Sequence, residues 1–358
     1  MATRQNGAVQ HLWDLGQRGE TARMQAHLAR YQWGGTITSF NGTVAAAACC
    51  NDHVETLGAL LARDSSDGGL SELLVVAVCY GSVHTAAVLL CAKANVHGPV
   101  RRARAVVRST IWQDTYVPGN EMHLDPPLVI AARKGHLSCV SLLLSVKADV
   151  EFARVDTALV CAAERGHTRV VECLVSAKAN VQAPDVDDQT PVYLAAAGRH
   201  ERTLKVLLDA HADVNAPVPD AHDTPLLFAS LRPKQPRIFQ LLLAARADVN
   251  ATTVEGDTAL ASAIHHKCPH DVVKLLLRAK ADVHATNENE YTALHWAAER
   301  GSMRIARLLV RAKADVRAKN DFNRTAAATT QNRALAKYLR RVRRLDVERV
   351  SQPGAPLV

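Results

Sequence analysis

The densest run of reactive side chains is His265-His266-Lys267-Cys268-Pro269-His270. Imidazoles and a thiolate are what zinc takes, normally four ligands drawn from two clusters at fixed spacing. No second cluster occurs here. Pro269 supplies a turn, so the run is expected to be a loop with exposed imidazoles and no metal. The eight Cys stand singly in apolar segments, apart from Cys49-Cys50, and none forms a CxxC pair. They read as small buried hydrophobes of a reducing compartment. No Gly-rich phosphate loop, GxSxG elbow, HExxH helix or paired catalytic carboxylates appear. The expected chemistry is therefore recognition, with no catalysis and no cofactor.

A second concentration of functional residue types lies between Asn95 and Pro126. Arg101, Arg102, Arg104 and Arg108 are followed by Trp112, Tyr116 and Pro118-Gly119-Asn120. Arg, Trp and Tyr dominate binding hot spots, and long loops of this kind often carry function. Loops also accept insertions at small entropic cost. A docking finger and a passive insertion both fit.

The element that must position these residues is best seen at Thr292 to Ala318. Thr292 suits an N-cap, since its hydroxyl can accept from an orphan N–H of the first turn. Pro191 and Pro225 follow Thr in two sister copies, at a first helical position that needs no N–H. Gly301 breaks the chain and Ser302 opens a second helix running to about Arg311. Isolated helices this short are marginal in water, so the pair must stack on copies of itself.

The copies are spaced regularly. The signal [Ala/Val]-[Lys/Arg/His]-Ala-[Asp/Asn]-Val has its basic residue at Lys93, Lys147, Lys178, His211, Arg246, Lys280 and Lys313, with gaps of 54, 31, 33, 35, 34 and 33 residues. A helix start precedes each by 21 or 22 residues, at Glu72, Pro126, Thr157, Thr190, Thr224, Thr258 and Thr292. Two independent markers keep one period, which is the signature of a repeat architecture. With 48% hydrophobic but only 4% aromatic residues, the core must be built from Ala, Leu and Val, which suits closely stacked helices.

On these residues the chain resembles the ankyrin-repeat family, whose unit is about 33 residues, a β-turn and two antiparallel helices. Thr190-Pro191-Val192-Tyr193-Leu194-Ala195-Ala196 and Thr292-Ala293-Leu294-His295-Trp296-Ala297-Ala298 match its Thr-Pro-Leu-His-x-Ala-Ala segment, and Gly135-His136 and Gly166-His167 its Gly-His link. The resemblance covers roughly residues 70–320. It implies an all-α solenoid of about ten helix-turn-helix units joined by β-hairpin-like fingers, binding proteins through a concave groove. The expected plan is a capping helix pair over 1–39, degenerate repeats over 40–97, a basic and aromatic finger insertion over 98–122, and repeats over 123–320. A capping repeat with a basic helix over 321–350 and a disordered tail over 351–358 complete it.

The resemblance also implies which residues line the groove. The pairs ending each first helix are Arg133-Lys134, Glu164-Arg165, Ala197-Gly198, Leu231-Arg232, His265-His266 and Glu299-Arg300. Arg133, Lys134, Arg165, Arg232 and Arg300, with the insertion's arginines, Trp112 and Tyr116, are the expected partner contacts. His295 is implied to bond between neighbouring turns, and Trp296 reads as a packing residue. Where the family carries Gly after the second helix, this chain carries Lys, Arg or His. That choice costs backbone strain and places positive charge at a helix C-terminus, where the dipole favours it.

The formal charge is +8 and the pI about 9.2, which favours acidic partners without naming one. Nucleic acid or another anionic surface, met by the basic column and the Arg-rich insertion, is the alternative to a protein partner. It ranks second because the charge reads as spread out and aromatics for base stacking are few. Arg340-Arg341-Val342-Arg343-Arg344 reads as a solvated cap. The N-terminus has no apolar h-region and Leu73–Ala92 is interrupted by Gly81, Ser82 and His84, so neither a signal peptide nor a membrane span is expected. A cytoplasmic or nuclear monomer is the corresponding expectation.

Overall fold

A computed structural model describes residues 14–15, 18–30, 40–62, 69–97, 125–152, 156–218, 224–232 and 235–351. The chain divides into two compact units, Met1–Val186 and Asp187–Val358. In the first, helix Thr21–Arg30 is followed by the pairs Phe40–Cys50 with Val54–Leu61, Leu70–Tyr80 with Val83–Cys91, Pro127–Lys134 with Leu137–Ser145, and Ala158–Arg165 with Thr168–Ser176. The second holds Pro191–Ala197 with Glu201–Asp209, Pro225–Leu231 with Pro236–Ala244, Ala259–His265 with His270–Arg278, Ala293–Glu299 with Met303–Arg311, and Ala326–Thr329 with Arg333–Ser351. Within each unit, first helices pack on first helices and second on second.

Local chemistry sets the helix starts. The side chains of Thr157, Thr190, Thr224, Thr258 and Thr292 each accept a hydrogen bond from the backbone N–H three residues on. Pro127, Pro191 and Pro225 occupy the first turn. Thr258→Ala should cost about 1 kcal/mol through this lost cap, read as a lower urea midpoint. The expected start at Glu72 is corrected: that helix begins at Leu70, capped by Gly69. With neither Thr nor Pro at 72 to cap it there, the helix starts three residues earlier, nearly a full turn, and buries Leu70 to 2% exposure.

The second helices end in one recurring way. Lys93, Lys147, Lys178, His211, Arg246, Lys280 and Lys313 all have φ between 60 and 68°. After each, the N–H of the following Ala reaches back five residues to a Leu carbonyl, as in Ala281 N to Leu276 O and Ala314 N to Leu309 O, both 3.0 Å. This is the Schellman closure, in which a left-handed residue lets two orphan carbonyls be satisfied. Ala281, Ala314, Leu276 and Leu309 are all buried, in keeping with the apolar contact that accompanies the motif.

Burial separates the two helix types. Pro127 through Ala132 are all buried in one first helix, as are Ala158 through Ala163 in the next. Each second helix hides three residues at i, i+1 and i+4, for instance Val170, Val171 and Leu174, or Ile305, Ala306 and Leu309. That narrow stripe is one helix face, and burying one Leu fully stabilises by about 1.5–3 kcal/mol.

Hydrogen bonds tie neighbouring repeats together. In the first unit, His136 Nε2 meets Cys79 O at 3.0 Å and His167 Nε2 meets Arg133 O at 3.1 Å. In the second, antiparallel bridges Thr252–Thr258, Thr286–Thr292 and Lys319–Thr325 form short hairpins. Glu288 N to Glu255 O at 3.0 Å and Asp321 N to Asn289 O at 3.2 Å join successive hairpins. The last helix runs to Ser351, one residue past the expected end, and the tail beyond it lies outside the described residues.

Candidate binding surface

The basic residues at the first-helix ends divide into one that is half-buried and committed and four that are exposed. Arg133 donates to Asp125 Oδ2 at 2.5 Å and to Cys161 Sγ at 3.4 Å on the next repeat, with its side chain 28% exposed. It therefore braces two repeats. Lys134, Arg165, Arg232 and Arg300 are exposed. Arg165 lies 3.8 Å from its exposed neighbour Glu164, a pair worth little in water. Arg101, Arg102, Arg104, Arg108, Trp112 and Tyr116 lie outside the described residues, as does the whole 98–122 insertion.

The second unit brings aromatic rings together at this surface. Trp296 stacks on His265 of the preceding repeat, with centroids 4.0 Å apart and planes 7° from parallel. Tyr291 closes on Trp296 at 4.8 Å. The indole N–H donates to Asp257 Oδ1 at 3.4 Å, and burial holds the Asp257 carboxyl above its usual range while that bond acts against it. Two repeats earlier, Tyr193 lies 5.0 Å from Phe228, and the Arg232 guanidinium sits 5.9 Å from the Phe228 centroid. Ile130, Cys161, Leu194 and Ser262 occupy the position of Trp296 in other repeats and are buried. Trp296 and Phe228 are half-exposed at that position. The packing reading of Trp296 thus holds in part, since the ring packs on its neighbours and stays partly exposed.

The clue in the chain was size. A large ring at a site that other repeats fill with small or aliphatic residues cannot be covered fully by its neighbours. Stacking on His265 was not visible because it joins residues of successive repeats. Burial, then the nearby Arg300 charge, press the His265 pKa below the ordinary imidazole range. The ring is mainly neutral near pH 7 and packs as an aromatic. Cys268 is buried, and among the described residues no group of three or more His, Cys, Asp or Glu side chains is arranged to hold a metal ion.

His295 serves structure. It is fully buried, its Nδ1 accepts from the Thr292 N–H at 3.2 Å, and Nε2 lies 3.1 Å from Arg324 O. A carbonyl only accepts, so the proton sits on Nε2 and the ring is neutral. A hollow beside Phe228, Arg232 and Gln235 measures about 10 Å³. That is room for one water, whereas small-ligand sites span about 300–1,000 Å³.

The comparisons agree with this repeated geometry. The chain is similar to the ankyrin repeat domain of Bcl-3, described as a unique member of the IkappaB protein family, at 32% identity with a TM-score of 0.54. The match covers 60% of this chain and 98% of that one. No curated protein matches. A family model for ankyrin repeats, in three copies, covers residues 128–218, 226–320 and 260–347. Thr-capped first helices and three-residue burial on the second recur along those spans, bridged hairpins join the repeats between 252 and 325, and the chain belongs to the ankyrin-repeat family.

Proposed function

We propose that this chain is a non-catalytic adaptor that binds a protein partner on the first-helix ends and hairpins of its repeats. Ankyrin repeats are generally protein–protein interaction modules, and the family is typically non-catalytic. The observation carrying the reading for this chain is the half-exposed His265–Trp296–Tyr291 cluster, held rigid by stacking and by the bond to Asp257. Affinity at interfaces concentrates in a few pre-organised aromatic and Arg anchors, and Trp296 with Arg300 and Phe228 with Arg232 have that composition. The insertion at 98–122, with Trp112 and Tyr116, adds a second contact.

Trp296→Ala tests this. The variant keeps the Thr292 cap and His295 but gives up the stack on His265 and the bond to buried Asp257, so it should melt a few degrees lower and still be folded at assay temperature. Quantitative capture from cell extract should return a reproducible set of proteins with the parent chain that falls at least tenfold with the variant, as loss of a hot-spot residue worth about 2 kcal/mol requires. An identical set from both proteins would refute the assignment. Deleting residues 98–122 measures the insertion in the same assay.

A further inference from the structure

Between Met303 and Ser351 the chain carries fourteen Lys and Arg against four Asp and Glu, a net +10. Since the whole chain is +8, all remaining residues together are net −2. The expectation that the positive charge is spread out is therefore corrected: the excess sits in the last two repeats of the second unit.

Folding arranges it in stripes. In helix Arg333–Ser351, Leu335, Ala336 and Leu339 are buried at 0, 8 and 1% exposure. Arg333, Lys337, Arg340 and Arg344 follow at spacings of four, three and four on the opposite face, with Arg341 beside them, and all five are exposed. On the neighbouring helix Met303–Arg311, the buried set is Ile305, Ala306 and Leu309, and Arg304, Arg307 and Arg311 form an exposed stripe opposite it. The Arg307 guanidinium lies 5.6 Å from the Tyr338 ring centroid, which sets the two helices side by side. Helices in contact are about 8–10 Å apart, so the stripes form a double row, about 16 Å long on the last helix and about 10 Å on its neighbour at 1.5 Å per residue.

We propose that this double row is a second binding site, which takes the phosphate backbone of a nucleic-acid duplex without reading its sequence. Arginine dominates the row, and its planar fork matches phosphate oxygens in pairs. The helices bury their apolar stripes on the core, and among their described side chains Leu345 is the single large apolar one left exposed, too little to form a face that inserts into a membrane. It has no exposed aromatic anchor of the kind protein hot spots use, and Tyr338 is already covered by Arg307. Absence of a free stacking ring in the row also disfavours single strands, which bind through bases stacked on aromatics. What remains is electrostatic contact along a linear array of charge. A duplex presents one charge per about 1.7 Å, about ten beside a row of this length. The site is independent of the aromatic cluster around Trp296.

The test is fluorescence anisotropy of a labelled mixed-sequence DNA duplex with the full chain at about 50 and about 200 mM salt. Binding should weaken at least tenfold between the two, as several released counterions require. The triple variant Arg340→Glu/Arg341→Glu/Arg344→Glu should bind at least tenfold more weakly at the lower salt, with a flatter salt dependence. Arg340→Gln/Arg341→Gln/Arg344→Gln, which adds no repulsion, should lie between the two. Arg202→Glu/Lys205→Glu/Arg278→Glu, equal in charge change but outside the row, should stay within threefold of the parent. Absence of duplex binding, or equal loss in both triple-Glu variants, would overturn the proposal. So would tighter binding of polyglutamate or phosphatidylserine vesicles than of the duplex. Retained capture of protein partners by the cap variants would separate this site from the Trp296 surface.

Discussion

Replacing His295 by Ala is expected to destabilise the second unit by about 3 kcal/mol. The ring is fully buried and satisfies two backbone groups, the Thr292 N–H and the Arg324 carbonyl, which lie in neighbouring hairpins. Leaving a buried polar group unpaired costs about 1–3 kcal/mol, and the cavity left by the ring adds to that. Thermal or urea unfolding followed by circular dichroism would read it. The same residue gives a pH dependence with a defined sign. Burial holds the His295 pKa below its unfolded value, with the carbonyl bond partly opposing. The unfolded chain then takes up a proton that the folded one refuses. His295's contribution is complete above about pH 6.5, the ordinary imidazole pKa, and is lost as pH falls towards the lower native value. The gap in midpoint between parent and His295→Ala should shrink between pH 7 and 5.

Gly135→Ala should cost the first unit about 2–3 kcal/mol. Gly135 has φ +78°, and a Cβ there would stand 2.7 Å from the His167 ring. An L-residue in the left-handed region costs about 1–2 kcal/mol. Moving His167 aside gives up its bond to the Arg133 carbonyl as well, worth about 1 kcal/mol. Gly58→Ala makes the contrast. Gly58 lies inside helix Val54–Leu61 and an added Cβ meets nothing within 4 Å, so Ala should stabilise by about 0.5–1 kcal/mol. Opposite signs for one chemical change would show that backbone conformation and close approach, and not glycine content, govern the stack.

What could be read from the chain was what one repeat determines by itself. Thr caps, Pro at the first turn and the basic residue closing each second helix are local, and all reappear with the expected geometry. The register failed at Glu72, where the local signals are absent and burial of Leu70 decides the helix start. Contacts between repeats were harder. Trp296 meets His265 and Asp257 only when two repeats stack. Arg133 looked free and is held by Asp125 and Cys161 across such a junction. The arginines of 304–311 and 333–344 align only because both helices bury their apolar faces on the same stack. The basic column after the second helices proved less uniform than its spacing implied. Asp149, Asp213, Asp248, Asp282 and Asp315 stand two residues beyond five of its members, and all are exposed. Each carboxylate within hydrogen-bonding reach of the N–H two residues on caps its own turn, as Asp282 does for His284 at 2.8 Å.

Partners are expected to dock on the first-helix ends around Trp296. A photo-crosslinking side chain placed at Arg300, beside the cluster, is compared with one at Arg278, which is exposed on a second helix. With a partner captured by the parent chain, adducts should form from position 300 and not from 278. Adducts from 278 alone, or equal yields from both positions, would contradict it.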